Sequence, residues 1–98
     1  MQTQFSDEGR FQTKNASKYL QQLCKHFAHK IDVQFDENSG KAALPAGPAT
    51  LTATVDELVV TLNAESPEGL QRVRDVIDSH LERFAFREEF KKMKWTKL

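Results

Sequence analysis

Apolar residues recur along this chain with two different periods, and the switches between them outline a fold. Ala16, Tyr19, Leu20, Leu23, Cys24 and Phe27 follow one another at three- and four-residue steps, the stripe of an amphipathic helix, with Asn15 as its N-cap. From Ile31 to Asp36 the period becomes two. Ile31, Val33 and Phe35 share one face and Asp32, Gln34 and Asp36 the other, which predicts a half-buried strand. Glu37-Asn38-Ser39-Gly40 has the turn chemistry to reverse the chain into a short strand at 41–44, which Pro45 and the Gly47-Pro48 pair stop. Ala49, Leu51, Ala53 and Val55 then alternate with Thr50, Thr52 and Thr54, and Leu58, Val60 and Leu62 continue the alternation after a tight turn. The threonines predict one solvated sheet face.

Ser66-Pro67-Glu68 opens a second helix with a hydroxyl cap, a proline at the first helical position and an early acid. Its core stripe is Leu70, Val73, Ile77, Leu81 and Phe84. A short strand over 10–13 precedes the first helix. The predicted class is therefore α+β: a two-layer, antiparallel sheet with two helices on one face, in the order β-α-β-β-β-β-α.

Composition narrows this picture without directing it to a reaction. The 98 residues form one domain, 1–98, far below the roughly 250 residues of an eight-stranded α/β barrel. Fourteen basic and fourteen acidic side chains cancel, so a charge-based function has to be local. The single Cys24 forms no internal disulfide and suits a reducing compartment. No leader pattern opens the chain and no long apolar run crosses it, which predicts a cytoplasmic protein without a membrane partner.

Two segments carry unusual chemistry. One is Leu23-Cys24-Lys25-His26-Phe27-Ala28-His29-Lys30, and the other is His80-Leu81-Glu82-Arg83-Phe84-Ala85-Phe86-Arg87-Glu88-Glu89. Together with Tyr19-Leu20 and Trp95 they closely resemble the bacterial "domain of unknown function 2218" family, over nearly the whole chain. The resemblance implies a curved antiparallel sheet with two helices, in the manner of the TATA-binding protein. It implies no reaction, and it associates the chain only loosely with iron-related metabolism.

The residues themselves offer several sites. Cys24 and His26 stand about 200° apart on a regular helix and cannot share an ion. His26 and His29 lie on one side, and His80 supplies a third imidazole if the helices lie together, so these three are the metal candidates, though no carboxylate completes a set. The commoner alternative is hydrogen-bonded histidines beside the core, with His29-Lys30 at a helix C-terminus. His80, Arg83 and Arg87 fall on one line at steps of three and four, where two guanidinium groups beside an imidazole can hold a carboxylate or phosphate. The competing role is an ion-pair network with Glu82, Glu88, Asp32 or Asp36.

The ligand-binding candidates are thus His26, His80, Arg83, Arg87 and Tyr19, with a small anion as ligand; no cofactor follows from the sequence. Beyond the second helix's core stripe, Phe86, Phe90 and Met93 lie on the opposite side. They make residues 86–98, with Trp95, a basic extension suited to a homodimer interface, unless the helix bends near Ala85. Lys91, Lys92, Lys94 and Lys97 around Phe90 and Trp95 are a weak single-stranded nucleic-acid signal that Glu88 and Glu89 dilute. No nucleophile has an assignable base, and no glycine-rich phosphate loop is present. The chain reads as a binding or accessory protein, with a small acid-base enzyme built on His80, Arg83 and Arg87 as the alternative.

Overall fold

The computed structural model describes residues 5–98; the polar lead-in, 1–4, lies outside the described residues. Eight elements and one short turn of helix follow in sequence: β1 (Phe5–Gln12), α1 (Ala16–Phe27), β2 (Val33–Phe35), β3 (Ser39–Ala42), β4 (Ala49–Ala53), β5 (Glu57–Ala64), α2 (Pro67–Phe84), a 3₁₀ turn (Phe86–Glu88) and β6 (Lys94–Lys97). The strands form one antiparallel sheet in the order β2-β3-β4-β5-β1-β6. β1 is therefore an inner strand, pairing with β5 over Phe5 to Gln12 and with β6 over Asp7 to Arg10.

Alternation decides which side of the sheet is covered. Leu51, Leu58, Val60 and Leu62 are fully buried, whereas Thr50 and Thr52 are exposed. The helices add the predicted stripes, α1 through Tyr19, Leu20, Leu23, Cys24 and Phe27, and α2 through Leu70, Val73, Ile77 and Leu81. Burying each Leu, Val or Ile contributes about 1.5–3 kcal/mol relative to leaving it in water, so this shared core is what holds both helices to the sheet.

Local capping matches the sequence at one helix only. The Ser66 hydroxyl accepts from the Gly69 amide at 3.0 Å, as expected. Asn15 makes no side-chain cap; its carbonyl accepts from the Tyr19 amide at 3.0 Å, and its side chain is engaged elsewhere. The reversal after β2 is made by Asp36, whose Oδ1 accepts from the amides of Asn38 and Ser39, both at 2.8 Å. Those amides hold the Asp36 carboxyl below its ordinary range.

The largest departure is at the C-terminal end. Instead of continuing, α2 stops at Phe84, the chain turns through Phe86–Glu88, and Glu89 adopts a left-handed conformation at φ 56°. Phe90 and Met93 then enter this chain's own core, Phe90 with its ring 4.7 Å from that of Phe11. The last residues return as β6. This is the bend near Ala85 that stands as the alternative to a dimer patch: Phe90 and Met93 are buried in this chain, Trp95 is half-buried, and of that patch only Phe86 is well exposed, at 65%. It equally disperses the nucleic-acid platform, because Phe90 is buried and the half-buried Trp95 is held against Gly9 and Asp78 rather than standing beside it. Among the described residues no helix is long and apolar enough to cross a membrane.

Candidate functional site

The two histidine segments meet. His26 occupies the last turn of α1 and His80 the second-last turn of α2, and packing of the stripes sets the two helix ends beside each other. Their rings lie 4.6 Å apart, centroid to centroid, tilted by 55°. Phe27 stands edge-on to His80 at 5.2 Å, and Phe84 flanks both imidazoles, 6.2 Å from His26 and 6.3 Å from His80.

Hydrogen bonding fixes the tautomer of His80. Its Nδ1 is 2.6 Å from the Val76 carbonyl, which only accepts, so Nδ1 carries the proton. Nε2 makes no hydrogen bond among the described residues and is left to face a ligand. His26 is an exposed residue, yet its pKa is held below the ordinary imidazole range, first by partial desolvation of the ring against the second helix and then by the neighbouring His80, His29, Lys30 and Arg83. Lys30 and Arg83 are permanent cations, so the corner places positive charge beside two imidazole rings.

The other predicted residues separate into different places. His29 follows α1 as an exposed residue. Among the described residues no group of three or more His, Cys, Asp or Glu side chains sits where it can hold one metal ion, so the three histidines do not make a chelating set. Arg83 remains at the corner as an exposed cation, but Arg87 leaves the predicted line because α2 ends before reaching it; its guanidinium lies 5.7 Å from the centre of the Phe86 ring. The alternative ion-pair network is not formed either. The ion pairs among the described residues join Arg10 to Glu8 and Glu57, and Arg74 to Asp7.

Tyr19 belongs to a second construction that the sequence did not announce. Its hydroxyl donates to Glu88 in a short hydrogen bond, the Thr13 hydroxyl donates to the other carboxylate oxygen at 2.7 Å, and the Asn15 amide adds a contact at 3.2 Å. Glu88 is thereby clamped to the β1–α1 turn. Burial pushes its carboxyl up, but the hydrogen bonds from Tyr19, Thr13 and Asn15 outweigh this and hold it below the ordinary value. The Tyr19 phenol is pushed up to about 12, by burial first and by Glu88 second.

Asp78 makes a third construction, accepting from the Met93 amide at 2.9 Å and the Trp95 indole at 2.8 Å, which ties β6 across α2. Trp95 in turn lies against Gly9, where any Cβ would come within 2.6 Å of the indole ring. Cys24 is buried, and burial pushes its thiol up to about 11, so it is no nucleophile at neutral pH.

Comparison with known proteins agrees with this architecture. A family model described as "Uncharacterized protein conserved in bacteria (DUF2218)" matches residues 8–96. The NMR structure of PA4090 from Pseudomonas aeruginosa is similar with a TM-score of 0.78 and 27% identity, covering 94% of this chain and 95% of that one. No curated protein matches the chain.

Proposed function

Because the chain belongs to the DUF2218 family of uncharacterised proteins conserved in bacteria, whose description carries no reaction, its function has to be argued from its own side chains, and we propose that it binds a small oxyanion at the corner of His26, His80 and Arg83. The observation that carries this reading is the contact of two imidazoles from different helices, with an unbonded Nε2 on His80 and cationic neighbours around them. An oxyanion there gains charge-assisted hydrogen bonds and relieves repulsion among groups that already stand together.

Binding is favoured over catalysis. A general base needs a reacting group and an orienting partner, and here the orienting partner of His80 is a backbone carbonyl while Tyr19 and Glu88 are spent on each other. The acid-base enzyme reading therefore lacks a second positioned side chain among the described residues. A setting in iron-related metabolism rests on the family resemblance alone.

Titration with inorganic phosphate, followed through the histidine ring resonances, tests the proposal. Saturable shifts at His26 and His80 that vanish in Arg83→Gln support it. Uniform drift of all three histidines with ionic strength would show instead that the pair only pins two helices together.

A further inference from the structure

A cleft of about 340 Å³ lies away from the histidine corner, where the first half of α2 stands over β1 and β6. It sits at the lower end of the roughly 300–1,000 Å³ usual for ligand clefts. Its walls are Phe5, Pro67, Leu70 and Trp95, and its charged groups are Arg74, Lys97 and Asp7. The cleft nearest to it in size, about 360 Å³, has Phe35 but balances Lys41 against Asp36. The one of about 450 Å³ is lined by Gln12, Thr13, Lys14, Asp56 and Glu57, with no apolar wall, and that of about 540 Å³, along the Pro45–Pro48 loop, has apolar walls but sets Arg72 against both Glu65 and Glu68.

Arg74 is incompletely satisfied. Its Nε is buried 3.2 Å from Asp7 Oδ2, close enough for an ion pair, yet it is not aligned to donate a hydrogen bond. Its Nη2 donates to Gln71 at 3.0 Å, and no hydrogen bond from Nη1 is present among the described residues. Lys97 adds an exposed ammonium. Two cations against one carboxylate leave the cleft with a net positive charge, beside an indole whose N–H is already committed to Asp78 and whose ring remains as an apolar wall.

We propose that this cleft is a binding site for a small monocarboxylic acid with an apolar body, the body against Trp95, Leu70 and Phe5 and the carboxylate on Arg74 and Lys97. A divalent cation is disfavoured, because Asp7 already has its cation and two positive groups face the same space. A bare inorganic anion would leave the apolar walls unused.

Trp95 is the only tryptophan, so its emission reports on the cleft directly. Cyclohexanecarboxylate, which is transparent where indole is excited, should change that emission saturably, while cyclohexanecarboxamide and acetate should bind at least about tenfold more weakly, the carboxamide for want of the charge-assisted hydrogen bonds and acetate for want of an apolar body. Arg74→Gln should lose about tenfold or more. Should that variant fold poorly, Asp7→Asn gives the sharper reading: with the competing carboxylate neutralised, affinity should rise about threefold or more. No saturable response to cyclohexanecarboxylate, an equal response to the carboxamide or to acetate, or weaker binding by Asp7→Asn would each overturn the proposal. The readout does not involve the histidine rings, so this site and the oxyanion corner stand or fall separately.

Discussion

Replacing Glu88 by alanine should detach the turn after α2 from the β1–α1 turn, and the structure allows the cost to be sized. Two hydrogen bonds into the carboxylate are well formed, from Tyr19 and from Thr13 at 2.7 Å, while the Asn15 contact at 3.2 Å is exposed and contributes little. A hydrogen bond to a charged group contributes about 1.5–3 kcal/mol, but Glu88 is itself exposed and water screens part of that. The loss also strands the hydroxyl of Tyr19, a residue only 4% exposed. About 2–4 kcal/mol is expected for Glu88→Ala and about half for Glu88→Gln, which keeps an acceptor. At about 5 °C per kcal/mol for a chain of 98 residues, the alanine variant should melt roughly 10–20 °C lower.

The same reasoning fixes a pH dependence. The folded-state pKa of Glu88 is lowered, so its contribution is complete above the ordinary value of 4.5 and is lost as pH falls through the lower folded value. Urea melts of wild type and Glu88→Gln should therefore converge on acidification. A Glu88→Ala protein within about 0.5 kcal/mol of wild type, the usual size of an uneventful surface change, would refute the clamp.

Gly40 offers a steric test, because an added Cβ would lie 2.8 Å from the Cys24 sulfur and 3.2 Å from the Phe35 Cβ. Gly40→Ala should cost about 1–3 kcal/mol, and the double variant with Cys24→Ala should melt higher than Gly40→Ala alone. The Cys24 thiol, pushed up to about 11 by burial, should resist iodoacetamide at neutral pH in the native protein and react once urea unfolds it. Tyr19 should ionise near 12 when followed by absorbance at alkaline pH. Since that pKa is raised above 10.0, the associated stability is present below 10 and is lost as pH rises through 12.

How far the sequence went can be read from particular residues. Alternation over 49–53 and 58–62 and the two helical stripes located β4, β5 and both helices, because there the local period and the buried face coincide; β2 is only Val33–Phe35 with Phe35 exposed, and Val55 falls in the turn between β4 and β5, 88% exposed. The facing of His26 and His80 followed from the same stripes. β6 was illegible: Lys94-Trp95-Thr96-Lys97 has one large apolar residue, and its place is set by Gly9, which lacks the Cβ that would strike the indole, and by Asp78 far back along the chain. The Arg83–Arg87 line failed for a related reason. Helical spacing assumes that the helix continues, whereas Glu88 is drawn back to Thr13 and Tyr19, and Phe90 turns inward onto Phe11. The cleft at Trp95 combines residues from β1, α2 and β6, and no local pattern joins them.

The oxyanion proposal is most directly tested by the pKa of His26 measured by NMR with and without inorganic phosphate. Partial desolvation and cationic neighbours hold that pKa down in the free protein, so an anion in the corner must raise it, and His26 takes up a proton at any pH between the two values. The account predicts an upward shift at His26 with little change at His29. An unchanged His26, or an equal shift at His29 outside the corner, would contradict it.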